Sequence, residues 1–138
     1  MRSGGIDCEA ETMAVRCLIV DDSLRFLEVA RSGLNRDGIE VVGTATTSAE
    51  ALQEAERLRP DVALVDVSLG EESGFDLSQQ LAALPDVRLR IVLISTRAEE
   101  DLAELIAASP AVGFIAKSRL STQAVHDLLD AANGPRER

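Results

Sequence analysis

Four short apolar runs return along the chain, "CLIV" (17–20), "VALV" (62–65), "IVLI" (91–94) and "VGFIA" (112–116), and a fifth, "IEVVGT" (39–44), is more alternating. All are short and rich in branched aliphatics, so each predicts a β-strand. Runs without a polar side belong to strands buried on both faces, as in a parallel sheet; the alternating segment suits an edge.

Helical stripes fill the gaps. Leu24, Leu27, Ala30 and Leu34 share one face, as do Ala51, Ala55 and Leu58. Leu77, Leu81 and Leu84 follow, then Leu102, Leu105 and Ile106, then Val125, Leu128, Leu129 and Ala132. "TSAE" (47–50) has capping-box form, with Thr47 as N-cap and Glu50 reaching back. Pro60 stops the second helix and Gly134-Pro135 the last. Five βα units therefore occupy roughly residues 16–133. Alternating units of this kind predict an α/β fold: a doubly wound five-stranded parallel sheet in three αβα layers, joined by right-handed crossovers. The usual order is 2-1-3-4-5, and ligands bind beyond the carboxyl ends of the strands at the switch point between strands 1 and 3.

Those ends carry polar residues. The first run stops at Asp21-Asp22, the third at Asp66, the fourth at Ser95-Thr96 and the fifth at Lys117. Asp21 or Asp22 alone reads equally well as a helix cap. Three carboxylates at adjacent strand ends repel one another unless a cation neutralises them, and hard oxygen ligands with room for water suit Mg²⁺. An acid cluster, a hydroxyl and an ammonium around a cation make a phosphoryl site, with one carboxylate left to attack.

The motifs "LIVDDS" (18–23), "DVALVDVSLGEESGFDL" (61–77), "IVLIST" (91–96) and "GFIAKS" (113–118) resemble those of the receiver domain of two-component response regulators. The resemblance covers about residues 16–133 and implies the flavodoxin-like, CheY-like fold. Residue by residue, it implies that Asp66 is the phosphoacceptor, with Asp22 as a direct Mg²⁺ ligand and Asp21 a ligand through water. The Ser68 backbone carbonyl completes the metal set. Ser95 corresponds to the switch hydroxyl, Lys117 to the lysine that bridges to aspartate or phosphoryl oxygen, and Phe114 to the aromatic switch; Phe114 also reads as a plain core residue. A sensor histidine kinase or phosphotransfer protein would supply the phosphoryl group, and the chain would catalyse its own phosphorylation and dephosphorylation. Output would pass through the face of helix 4, strand 5 and helix 5 to a downstream protein or output domain, with a homodimer on phosphorylation as one form.

The sequence departs from the pattern in places. Ser118 stands where many members carry Pro, often cis, which resembles receivers of the LuxR/NarL type. Thr96 stands where a smaller residue is common, and Arg97 is placed to pair with Glu71 or Glu72 across the cleft mouth. His126 lies on the last helix, away from the strand ends, and reads as solvated or partner-facing.

Other classes fit less well. A phosphatase of the haloacid dehalogenase type needs a second Asp two positions after the nucleophile, where this chain has Ser68. A flavin or dinucleotide site needs a Gly- or Ser/Thr-rich loop after strand 1, and "DDSLRF" is not one. The remaining alternative is a degenerate receiver that binds a protein without being phosphorylated. A net charge of -10 argues against direct nucleic-acid binding, and the apolar runs are too short for a membrane span. Cys17 reads as a buried core residue, while Cys8 lies in a polar stretch, so no disulfide or metal pair is expected. No signal-peptide pattern opens the chain, so a cytoplasmic protein is expected. Residues 1–14 read as a flexible extension in which Met13 is a candidate start, 15–133 as the receiver domain and 134–138 as a tail. The chain is either a stand-alone receiver or a piece of a larger regulator.

Overall fold

The computed structural model describes residues 15–133; Cys8, Met13, the extension 1–14, the stop at Gly134-Pro135 and the tail 134–138 lie outside the described residues. The chain runs β1 (Val15–Val20), α1 (Leu24–Arg36), β2 (Ile39–Ala45), α2 (Ser48–Leu58) and β3 (Val62–Asp66). A small hairpin then pairs Ser68–Leu69 with Glu72–Ser73, followed by α3 (Gly74–Ala82) and β4 (Arg90–Ser95). Last come α4 (Glu99–Ala108), β5 (Gly113–Ala116), a 3-10 turn (Lys117–Arg119) and α5 (Thr122–Asn133).

The sheet has the order β2-β1-β3-β4-β5 with every pairing parallel, as expected. The alternating segment is an edge strand, as its pattern suggests. The sheet's alternation divides the core into two layers. Cys17, Ile19, Leu64 and Ile94 pack toward Leu27, Leu34, Val125 and Leu129 of α1 and α5. Leu18, Val20, Val65 and Leu93 pack toward Ala51, Ala55, Leu77, Leu81 and Leu102 of α2, α3 and α4. Burial pushes the Cys17 thiol up to about 12, so it remains a neutral core group.

Two residues assigned to helix stripes face outward: Leu24 is 70% exposed and Leu105 53%. At 100° per residue, Leu24 sits roughly 90° from the centre of the stripe formed by Leu27, Ala30 and Leu34, and Leu105 about 80° from that of Leu102 and Ile106. The capping box is also shifted. Thr47 Oγ1 accepts from the Glu50 N–H at 3.2 Å, but the Glu50 carboxylate accepts from the N–H and hydroxyl of Thr46, one residue early. Helix α2 ends at Leu58, two residues before Pro60, with Arg59 in the left-handed region at φ 50°.

Candidate functional site

The end of β1 is fixed first. The Asp21 N–H donates to the Ala45 carbonyl of β2 at 3.0 Å, the last bond of that edge. Asp21 Oδ1 accepts from the Ser23 N–H at 2.9 Å, and Ser23 Oγ accepts from the Phe26 N–H at 3.2 Å. Ser23 is thus the N-cap of α1, and neither aspartate is spent as that cap. Asp21 is wholly buried and Asp22 exposed.

Asp66 closes β3 opposite Ile94 of β4 and is buried at 6% exposure. Its Oδ1 accepts from the Ser68 N–H at 3.1 Å, which ties the start of the hairpin to the carboxylate. A Cβ on Gly74 would come within 2.0 Å of the Asp66 carbonyl oxygen, so only glycine lets α3 begin this close to the strand end. Gly70 turns the hairpin at φ 60°, and a Cβ there would lie 3.8 Å from Asp22 Oδ2.

Lys117 enters from the far edge of the sheet. Its Nζ donates to Asp66 Oδ2 at 3.0 Å and forms an ion pair with Asp21 Oδ2 at 2.6 Å, off the line of a well-formed hydrogen bond. Burial works against the ammonium, but the two carboxylates outweigh it and hold its pKa above the ordinary value. The Asp66 carboxyl is also held above its ordinary value. Burial is the main cause; the Ser68 N–H and Lys117 pull the other way, and the neighbouring Asp21 charge adds to the rise. Two carboxylates thus face one ammonium.

Asp21, Asp22 and Asp66 each bring a carboxylate oxygen within 4.8 Å of the others. The donors are all hard oxygens, two of the three residues are buried, and Asp21 Oδ2 lacks an aligned hydrogen-bond donor. This acidic cluster fits a small oxygen-seeking divalent cation.

The other expected residues lie in or just after β4 and β5, on the hairpin and on α5. Ser95 is buried at the end of β4, and its Oγ accepts from the Arg97 N–H at 3.0 Å. Thr96 is exposed. Arg97 makes no ion pair with Glu71 or Glu72 among the described residues; Glu72 Oε1 instead accepts from the Ser48 N–H at 2.8 Å, drawn to the unsatisfied amides that open α2. Phe114 is half-buried, packed against the second core layer and lining a groove between α4 and α5. His126 is half-buried on α5 and absent from the acidic cluster. No cis peptide occurs among the described residues, so Lys117-Ser118 is trans.

Sequence reasoning missed Phe26. Its ring centroid lies 4.5 Å from Lys117 Nζ. Two signals were present: Phe26 is one of three aromatic residues, and Lys117 is the only lysine among 14 basic residues.

The chain is similar to known proteins in sequence and in fold. Residues 17–130 match the family described as the response regulator receiver domain. A protein-glutamate methylesterase/protein-glutamine glutaminase of Syntrophomonas wolfei is 38% identical over 104 residues, covering 75% of this chain and 29% of that protein. The chemotaxis protein CheY of Thermotoga maritima is 28% identical over 105 residues, covering 76% and 87%. The chain thus spans under a third of the methylesterase but most of CheY. The solved signal receiver domain of NarL from Mycobacterium tuberculosis superposes with a TM-score of 0.75 at 30% identity, covering 88% of this chain and 98% of that one. With the same fold, the family's match along most of its length and an acidic crevice at the switch point, this chain belongs to the response regulator receiver domain family.

Proposed function

We propose that this receiver accepts a phosphoryl group on Asp66 from a phosphohistidine of a sensor histidine kinase or phosphotransfer protein. The observation that carries this is the placing of Lys117 between Asp66 and Asp21, beside a cluster that Asp22 completes. The Asp66 carboxylate attacks phosphorus in line. An O–P bond forms as the P–N bond breaks, and the departing imidazole nitrogen keeps the electron pair. Asp22, Asp66 and the Ser68 backbone carbonyl would hold Mg²⁺, with Asp21 behind, and the bound ion supplies positive charge to the phosphoryl oxygens.

The chain's own groups do the rest. Lys117 exchanges its bond to Asp66 Oδ2 for one to a phosphoryl oxygen. Ser95 Oγ accepts from Arg97 and keeps its own proton for donation to another. Burial limits water around the acceptor. Drawing Ser95 inward opens space toward Phe114, whose ring lines a groove of about 560 Å³ with Glu99, Arg119, Asp127 and Leu128. That face, α4-β5-α5, would carry the signal to an output partner as a population shift.

Intact mass after incubation with acetyl phosphate and Mg²⁺ tests this. The expected result is one phosphoryl adduct that needs Mg²⁺ and is lost in Asp66→Asn. No adduct with acetyl phosphate or with phosphorylated kinases would leave a receiver that acts as a binding module only.

A further inference from the structure

Lys117 has three N–H bonds to direct. The Asp66 carboxylate takes one at 3.0 Å, and Asp21 Oδ2 lies 2.6 Å away as an ion pair. On another side of the ammonium lies the ring of Phe26, 4.5 Å from Nζ to centroid. A cation at this distance from a ring is attracted by its negative π face.

The ring is fixed by the same turn that fixes Asp21. Ser23 donates its N–H to Asp21 Oδ1 at 2.9 Å and accepts the Phe26 N–H on its own Oγ at 3.2 Å. One short segment therefore places both a carboxylate and an aromatic face around the lysine. The body of Phe26 packs against the core layer under α1. Phe26 and Lys117 also border a groove of about 300 Å³ between α1 and the start of α5, with Val29, Leu120 and Thr122 along it. Lys117 itself lines this groove, and the ring forms the adjoining part of its wall.

We propose that Phe26 is a positioning residue for Lys117. Its ring holds the ammonium in the carboxylate crevice, on the side where Lys117 lines the α1–α5 groove. The kinetic consequence rests on the phosphoryl-transfer reading above: a lysine that can swing away reaches the phosphoryl oxygens less often. Leucine retains the apolar bulk but has no π face, whereas tyrosine retains the face.

The test compares wild type, Phe26→Leu and Phe26→Tyr in two measurements. The first is the initial rate of adduct formation with acetyl phosphate and Mg²⁺, read by intact mass. Phe26→Leu is expected to be slower by roughly two- to fivefold, the worth of a cation–π contact at a partly exposed site, and Phe26→Tyr to recover the wild-type rate. The second needs neither Mg²⁺ nor phosphodonor. Lys117 is the only lysine, so selective ¹³C-lysine labelling gives a single ε-methylene signal. Ring current should shift it upfield in wild type and Phe26→Tyr but not in Phe26→Leu.

Leu matching wild type in both measurements, or Tyr behaving as Leu does, overturns the proposal. A ring-current pattern as expected with unchanged rates overturns the kinetic role and leaves only the contact. If wild type takes up no phosphoryl group, the phosphoryl-transfer reading fails, and the ε-methylene shift alone decides whether Phe26 holds the lysine.

Discussion

The two ends of the sheet handle charge in opposite ways. At the amino ends of the strands, Asp61 Oδ2 accepts from the Arg16 N–H at 2.9 Å, and Arg16 Nη1 donates to the Arg59 carbonyl at 2.8 Å. Arg59 Nη1 donates in turn to the Asp86 carbonyl at 2.8 Å. The Asp61 main chain joins in, donating to the Arg16 carbonyl and accepting from the Arg90 N–H. The charges of Asp61, Arg16 and Arg59 meet backbone groups near water, so they are spread and cheap to hold. At the carboxyl ends, two buried carboxylates share one ammonium. The first arrangement closes loops. The second concentrates like charges in a buried pocket, the condition under which a cation gains most by entering.

Removing the single cation should separate the two ends most sharply. In Lys117→Met, Asp21 and Asp66 keep their burial and lose their partner. A loss of about 3 kcal/mol is expected in urea denaturation with EDTA, the scale for stranding a buried charge. Arg16→Met at the other end should cost about 1 kcal/mol, the scale of one hydrogen bond. Equal losses would erase the distinction.

Neutralising an acid should next give effects of opposite sign. Asp61→Ala strands the Arg16 N–H and should destabilise by about 1 kcal/mol. Asp66→Asn should stabilise the metal-free protein near neutral pH. The Asp66 carboxyl is held above its ordinary 3.8 by burial, so the native state binds this proton more tightly than the unfolded chain. The stability so gained is fully present below 3.8 and is lost as pH rises through the raised native value. The advantage of Asp66→Asn over wild type should therefore grow with pH across that window, measured by urea midpoints in EDTA. A constant difference would mean that Asp66 titrates normally. Adding Mg²⁺ should then raise the wild-type melting temperature more than that of Asp66→Asn, because only wild type offers the complete carboxylate set.

How much of this could be read from the chain follows from what each feature depends on. The sheet was legible because a strand buried on both faces needs only a run such as "VALV", which owes little to its neighbours. The crevice was legible because parallel strands point their carboxyl ends one way, so Asp21, Asp66 and Lys117 meet once strand order is known. Features set by helical phase or by competition among donors were not. Leu24 and Leu105 lie on plausible stripes but rotate out of the core. Arg97 was expected to pair with an acid, yet the α2 amides claim Glu72. The Phe26–Lys117 contact joins the first helix to the last strand's end, and no local pattern announces it.

The smallest expected effect lies between the two regimes, in the bond from the Ser48 N–H to Glu72 Oε1. It ties the hairpin that starts at Ser68 to the first turn of α2, close to the crevice but with the solvated character of the opposite end. Glu72 is exposed and its carboxylate sits at a helix N-terminus, where a negative charge is worth about 0.3–1 kcal/mol. Glu72→Gln keeps an acceptor and removes the charge, so it should cost about 0.5 kcal/mol at low salt and less at 1 M salt, where the helix-end attraction is screened. Glu72→Ala also removes the acceptor and should cost about 1 kcal/mol, with a part that salt does not abolish. Urea midpoints at both salt concentrations separate the charge from the hydrogen bond. If Glu72→Gln were as costly as Lys117→Met, the hairpin anchor would belong with the buried site, and the boundary between spread and concentrated charge would have to be drawn further from the strand ends.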